Sequence, residues 1–287
     1  MKDWREHLPG TGIMFYKNVH TPFFEENIMN SNNHLQKVKK FHDWDAEQYK
    51  GLRYHLKSCE GLAYITRREL VLGSVDFNAG NVLDIGCGPG IFTQDLLDKS
   101  LKVYSVDLSI EMIKRAKQAV NKYQLASNAH FTVSDVSNIC FFDGKIDRIL
   151  CIGVICYLKD YHSLLSEMYR VLKPGGKIIV QIDKIRFPAV YEKFVPLYRY
   201  LKSKITSKSY DKLNFEFNYF AYTNFIKHLE KNGFRITDID CYDFRIPFID
   251  ILFNKLSLKL SKRMFKSRHL KFLRWFAHGL LIKADKI

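Results

Sequence analysis

Residues 82–90 read Val-Leu-Asp-Ile-Gly-Cys-Gly-Pro-Gly, and this is where the chain's chemistry concentrates. A short apolar run of strand type ends in three glycines at alternate positions, Gly86, Gly88 and Gly90. Without a Cβ, glycine lets the backbone turn sharply and lets a ligand approach it closely. Asp84 sits where strand meets turn, able to accept a hydrogen bond or face a cation. Acids recur at the ends of the next two apolar runs, Asp107 after Val103–Val106 and Asp135 after His130–Val133. A phosphate-binding P-loop is excluded because no Gly-Lys-Ser/Thr follows. A dinucleotide fingerprint needs its third glycine one position later, where Ile91 stands.

The surrounding elements must hold that turn at a sheet edge. Apolar runs at 82–85, 103–106, 130–133, 146–152 and 177–182 alternate with helical spacing at 92–98, from Ser109 onward and up to Val171. Ser109 can cap its helix. Strands alternating with helices imply crossover connections and a parallel sheet, whose ligands bind at the strands' C-terminal ends. The spacing predicts a later helix over 223–232, closed by Gly233, and a strand over 234–242. Residues 1–40, rich in Asn and His, read as loosely structured, and 41–75 as helical. Ile249, Leu252, Leu256, Leu260 and Met264 form one predicted apolar stripe over 248–276.

With these motifs in hand, the chain resembles the class I S-adenosylmethionine-dependent methyltransferases, particularly the small-molecule branch that includes quinone-biosynthesis enzymes. The resemblance runs without a gap from about residue 81 to 182. It is carried by VLDIGCGPG, VYSVDLSIEMIKRAK, FTVSDVSNICF, FDGKIDRILCIGVICYL and LKPGGKIIV in the family's order, and more loosely by HLEKNGFRI. It implies a doubly wound α/β fold with a mostly parallel seven-stranded sheet whose last strand is antiparallel. It also implies an N-terminal extension and helical cap over 1–74, and a cofactor domain over 75–287 with a lid insertion at 184–222 and another insertion at 246–278.

The resemblance implies S-adenosylmethionine as cofactor, held by Asp84, Gly86, Cys87, Gly88, Gly90, Asp107, Leu108, Met112, Asp135, Val136 and Cys151. Asp107 would take the ribose hydroxyls as a two-oxygen acceptor. Asp135 and the Val136 backbone would meet the adenine, with Met112 and Ile110 on its faces. Asp84 would orient the ammonium group, and Cys151 and Ile152 would contact the methionine portion. Simple helix capping remains open for Asp107, and Cys156 reads as a buried thiol.

Methyl transfer needs alignment and exclusion of water, and a base only where the acceptor loses a proton. Many relatives carry His-Leu-x-Asp past the fourth strand; here Tyr157-Leu158-Lys159-Asp160 stands in that place. No catalytic residue is named by the sequence; Tyr157 and Tyr49 are the candidates. The expected acceptor is a small lipophilic or aromatic molecule, with oxygen ranked ahead of carbon as the atom methylated. An RNA methyltransferase and a non-catalytic cofactor-binding subunit stand as alternatives.

The 287 residues carry a formal charge of +15. Two segments hold the whole excess: 184–212, with eight basic residues against two acids, and 251–287, with ten against one. Localised positive charge meets phosphate or an anionic membrane face. Peripheral membrane contact through 249–276 is therefore an expectation. Nucleic acid is disfavoured, since the Asn-Pro-Pro-Tyr type motif and the Pro-Cys pair of nucleobase methyltransferases are absent. The six cysteines show no ligand spacing, so no metal and no disulfide framework are expected. No stretch reaches 18 apolar residues, and the first ten residues read as neither signal nor transit peptide; the expected location is cytoplasmic.

Overall fold

Alternate residues of the central strands point to opposite sides of one sheet, and both sides are buried. Leu83, Ile85, Ile149, Cys151, Ile178 and Val180 face one layer, and Val82, Leu150 and Ile179 face the other. Such two-sided burial accounts for the nearly continuous apolar runs. The structure, a computed structural model, describes residues 25–74, 80–99, 101–121, 126–183, 217, 218, 220–244, 249 and 253–287. The expectations for 1–24, and for most of 184–222 and 245–252, fall outside the described residues.

The strands are β1 (Asn81–Ile85), β2 (Lys102–Asp107), β3 (Ala129–Val133), β4 (Ile146–Cys151), β5 (Leu172–Asp183), β6 (Phe234–Tyr242) and β7 (Gly279–Lys286). Their order is β3-β2-β1-β4-β5-β7-β6. The first five pair in parallel, and β7 runs antiparallel to both β5 and β6. Helices α1 (Glu25–Asp45), α2 (Tyr49–Arg53) and α3 (Cys59–Ser74) precede the sheet. Then come α4 (Ile91–Leu97), α5 (Ile110–Val120), α6 (His162–Val171), α7 (Tyr222–Lys231) and α8 (Asn254–Lys266). Helices α6 and α7 cover one face through Leu165, Met168, Phe225 and Leu229; α3 and α4 cover the other through Leu70, Val71, Phe92 and Leu96. The doubly wound seven-stranded sheet is the one expected.

Three local expectations are corrected. Residues 25–40 belong to α1, and are not loose. This helix lacks a strong apolar stripe and is held by polar contacts that composition does not reveal: Asp43 accepts from Ser109 Oγ at 2.5 Å, and His34 Nε2 meets the Tyr157 carbonyl at 2.9 Å. Strand β5 begins at Leu172, five residues early, because Leu172 pairs with Ile146 before the Lys173–Gly176 turn bulges out and pairing resumes at Lys177.

The apolar stripe predicted along α8 is only partly inward: Met264 packs on the core, but Leu256 does not. Ser257 and Ser261, one turn apart, form the buried side, where the Cys59 thiol of α3 donates to Ser257 Oγ at 3.3 Å. Leu256 is 51% exposed. Small residues let the two helices approach closely, and Met264 and Phe265 pack beside them against the core. Ser257→Leu should therefore destabilise the protein by about 1–3 kcal/mol through overpacking, while Leu256→Ser should stay within about 0.5 kcal/mol. Urea midpoints of the two variants check this, and equal losses would restore the predicted stripe.

Candidate active site

The turn after β1 is built by a backbone that only glycine adopts readily. Gly86, Gly88 and Gly90 have φ of 68°, 54° and 78°. Their bare faces differ in what they meet. A Cβ on Gly86 would lie 2.2 Å from Val154 Cγ2, and one on Gly90 would lie 3.0 Å from the Ala116 side chain, so both are places where chain packs on chain. A Cβ on Gly88 would meet nothing within 4 Å. Of the three glycines, Gly88 is the one that borders open space.

Asp107, at the end of β2, lies beside that space. The Gly88 N–H donates to its Oδ2 at 2.8 Å and the Ser109 N–H to its Oδ1 at 2.9 Å. Both oxygens are anchored, and each keeps a lone pair. Burial nevertheless outweighs these hydrogen bonds and pushes its pKa up to about 6. Ser109 caps α5 by accepting from the Met112 N–H at 3.1 Å. Capping and carboxylate positioning are thus performed by neighbouring residues of one corner.

Asp84 is turned inward, accepting from Thr93 Oγ1 at 3.1 Å, and Thr93 in turn meets Ser105 Oγ at 2.8 Å. Burial, with Asp107 nearby, pushes Asp84 up to about 7. Cys87 and Cys151 are buried, and burial raises both thiols. All six cysteines are free, and Cys156 is buried with its thiol raised in the same way. Met112 is 1% exposed and packed inside, whereas Ile110 is 44% exposed and available to a flat ligand. Leu108 and Asp135 are half-buried, and Val136 is buried. Asp135 Oδ1 accepts from the Ser137 N–H at 3.0 Å.

Strand order sets these residues in a line along the sheet's C-terminal edge: Asp135 past β3, Asp107 on β2, the glycine turn on β1, Cys151 to Gly153 on β4, then Gln181 and Asp183 on β5. Two residues of α1 that the sequence reading missed, Asp43 and His42, lie over that line. Asp43 of α1 reaches the α5 corner, and it also accepts from the Glu111 N–H at 3.4 Å. His42 lies edge-on to Tyr157, with ring centroids 4.7 Å apart. Burial and the Arg53 charge push His42 down to about 4, so its imidazole is neutral at pH 7. Tyr49 lies under the Arg53 guanidinium at 4.2 Å and edge-on to Tyr64. Burial raises both the Tyr49 and Tyr157 hydroxyls, so these phenols stay protonated and can donate a hydrogen bond.

Arg67 of α3 was also missed, although a signal exists. Ala63, Arg67, Leu70 and Val71 share one helical stripe, and a charge on a buried stripe is an anomaly. Among the described residues no group of three His, Cys, Asp or Glu could hold a metal ion.

A nucleoside with an amino acid arm fits these residues. Gly88 leaves a cradle that a Cβ would fill, and Asp107 offers two fixed oxygens beside it.

Comparison with known proteins bears on the same stretch. Residues 83–180 match the model of the family described as "Methyltransferase domain". A malonyl-[acyl-carrier protein] O-methyltransferase of Hamiltonella defensa is 37% identical over 106 residues, 36% of this chain and 38% of that protein. A demethylmenaquinone methyltransferase of Geobacillus is 33% identical over 136 residues, 45% and 58% of the two chains. The chain thus spans only 38% and 58% of the lengths of these relatives. The solved structure of geranyl diphosphate C-methyltransferase from Streptomyces coelicolor superimposes with a TM-score of 0.54 at 16% identity, over 78% of this chain and 79% of that one, which establishes the shared fold. The glycine turn and the anchored acid of β2 both lie within the stretch, residues 83–180, that matches a methyltransferase domain.

Proposed function

We propose that this protein transfers a methyl group from S-adenosylmethionine to a small-molecule acceptor, with oxygen ahead of carbon as the atom methylated. The observation that carries the reading is the open face of Gly88 beside the two anchored oxygens of Asp107. When bound, the cofactor supplies an electrophilic methyl carbon on a sulfonium centre. Asp107 would accept both ribose hydroxyls, Ile110 and the Asp135 turn would flank the adenine, and the Cys151–Gly153 backbone would border the methionine arm. Helix α1, tied down through Asp43 and His34, would keep water from the β4 and β5 ends.

Oxygen is favoured by His42. Its neutral imidazole lies against Tyr157, in the region where many relatives place a histidine, and can take the proton that a hydroxyl acceptor loses. One relative's name points to a small acceptor, demethylmenaquinone, and another's to a malonyl group on an acyl-carrier protein.

We also read the outward face of α8 as a contact for an anionic membrane surface. At 3.6 residues per turn, Lys255, Lys259, Lys262, Arg263 and Lys266 lie opposite the buried Ser257 and Ser261. No described helix is long and apolar enough to cross a membrane.

Incubation with methyl-labelled cofactor and a metabolite extract should put label on a small molecule; label on RNA alone, or none at all, would overturn the reading. Gly88→Val should abolish binding of S-adenosylhomocysteine by calorimetry. Affinity in the unaltered protein should fall as the pH drops through about 6, because Asp107 is a carboxylate above that value and a weaker acceptor once protonated. Asp107→Asn should flatten that profile and weaken binding by about 1–3 kcal/mol. With a hydroxyl acceptor in hand, His42→Ala should lower kcat by about 10²-fold or more while leaving cofactor affinity unchanged; an unaltered kcat would remove His42 from proton transfer. Changing Lys255, Lys259, Lys262 and Lys266 to Gln should eliminate cosedimentation with phosphatidylglycerol vesicles at low salt, each lysine contributing about 1 kcal/mol.

A further inference from the structure

Among the described residues of the helical cap, Arg53 and Arg68 are matched with carboxylates. Arg53 holds Asp45 with contacts of 2.7 and 3.0 Å, and Arg68 holds Asp95 through Nε at 2.7 Å. On the far side of the sheet, Arg170 holds Glu167 and Asp143. Arg67 is 6% exposed and has no carboxylate partner among the described residues. Its Nη1 donates to the neutral Gln181 amide at 2.6 Å, and its guanidinium lies over the Tyr64 ring at 4.5 Å. Tyr242 is within hydrogen-bond reach. Among the described residues the buried Nε–H of Arg67 has no acceptor.

The nearest acid along this chain of contacts, Asp183, does not neutralise it. Gln181 stands between them, accepting from Arg67 and donating from Nε2 to Asp183 Oδ1 at 2.9 Å. Asp243 lies beyond Tyr242. A cation removed from water without a counter-charge is strongly unfavourable unless something pairs with it.

The position of Arg67 says what that something would be. A Cβ on Gly153 would lie 3.7 Å from Arg67 Nη1, so the bare backbone just past β4 forms the floor beneath the guanidinium. Gln181 fixes its other side to β5. Along the sheet edge this is the station after the methionine arm, away from the glycine turn. The walls are aromatic: Tyr49 and Tyr54 stand edge-on to Tyr64, and the Tyr242 ring lies over Gly279, where a Cβ would come within 2.3 Å. A planar guanidinium with a free Nε–H edge matches a carboxylate in shape and charge.

The geometry points to Arg67 as a specificity residue that receives a carboxylate carried by the methyl acceptor. This rests on the proposed methyl transfer and adds the substrate class, an acid with a flat or short body. The test is calorimetry with 4-hydroxybenzoate and 3-hydroxypropionate, each paired with its uncharged amide, with and without saturating S-adenosylhomocysteine. At least one acid should bind ten-fold or more tighter than its amide, Arg67→Gln should erase that difference, and S-adenosylhomocysteine affinity should stay within two-fold. The acid-to-amide ratio in the unaltered protein stands even where the variant folds poorly.

Equal binding of acids and amides, or binding of none of the four, would overturn the assignment. So would a ten-fold loss of S-adenosylhomocysteine affinity in Arg67→Gln with 5′-methylthioadenosine unaffected, which would give Arg67 to the cofactor's own carboxylate. If the unaltered protein does not bind S-adenosylhomocysteine, methyl transfer falls, while the acid preference measured without it still reads Arg67.

Discussion

One carboxylate joins four pieces of the fold. Asp107 ends β2, takes the Gly88 N–H from the turn after β1, and takes the Ser109 N–H from the start of α5. Ser109 in turn donates to Asp43 of α1. Removing that acid would free the glycine turn from the neighbouring strand end and take from the Gly88 and Ser109 N–H groups the acceptor they share. The same burial that makes the bonds strong raises the acid's pKa. The corner is therefore held by a group whose charge is costly until something with hydroxyl donors arrives. In the proposed reading, the two oxygens that anchor the corner would also receive the ligand.

The sheet edge separates two kinds of chemistry. From β3 to β1 the groups are short loops directly after strands, so the residues that would meet the nucleoside are close in sequence to the elements that hold them. From β4 to β5 the groups come from elsewhere: His42 from α1, Tyr49 from α2 and Arg67 from α3, all brought over the edge by helix packing. That division explains what could be read in advance. The glycine turn, Asp107 and the strand ends follow local rules, and the structure places the strands within a few residues of the apolar runs. The bare face of Gly88, as distinct from those of Gly86 and Gly90, depends on Val154 and Ala116, which are distant in sequence.

The missed elements share a cause. Helix α1 looked loose because its attachment is polar, through His34 and Asp43, and hydrophobic spacing cannot register it. Helix α8 looked amphipathic with the leucines inward, yet Ser257 and Ser261 are the inward residues because Cys59 offers a close, small, polar partner. In both cases a tertiary contact overrides the pattern that hydrophobicity alone would favour. Arg67 is the opposite case. Its charge on a buried stripe was visible in the sequence, but its meaning depends on Gln181, more than a hundred residues away, and on its having no carboxylate partner among the described residues.

The proposed acceptor end brings together a neutral imidazole at His42, protonated phenols at Tyr49 and Tyr157, and Arg67, a cation with no carboxylate partner among the described residues. Each restricts the molecule that would satisfy the site. A neutral imidazole accepts a proton and gains nothing from an acceptor that has none to lose. Protonated phenols donate, and so favour oxygen on the partner. A buried guanidinium is left unpaired by a hydrocarbon or an amine. A hydroxy acid meets all three demands at once, whereas a purely lipophilic acceptor meets none of them. The polar groups of this pocket thus argue for an acceptor with charge at one end and an ionisable oxygen at the other, enclosed by aromatic walls.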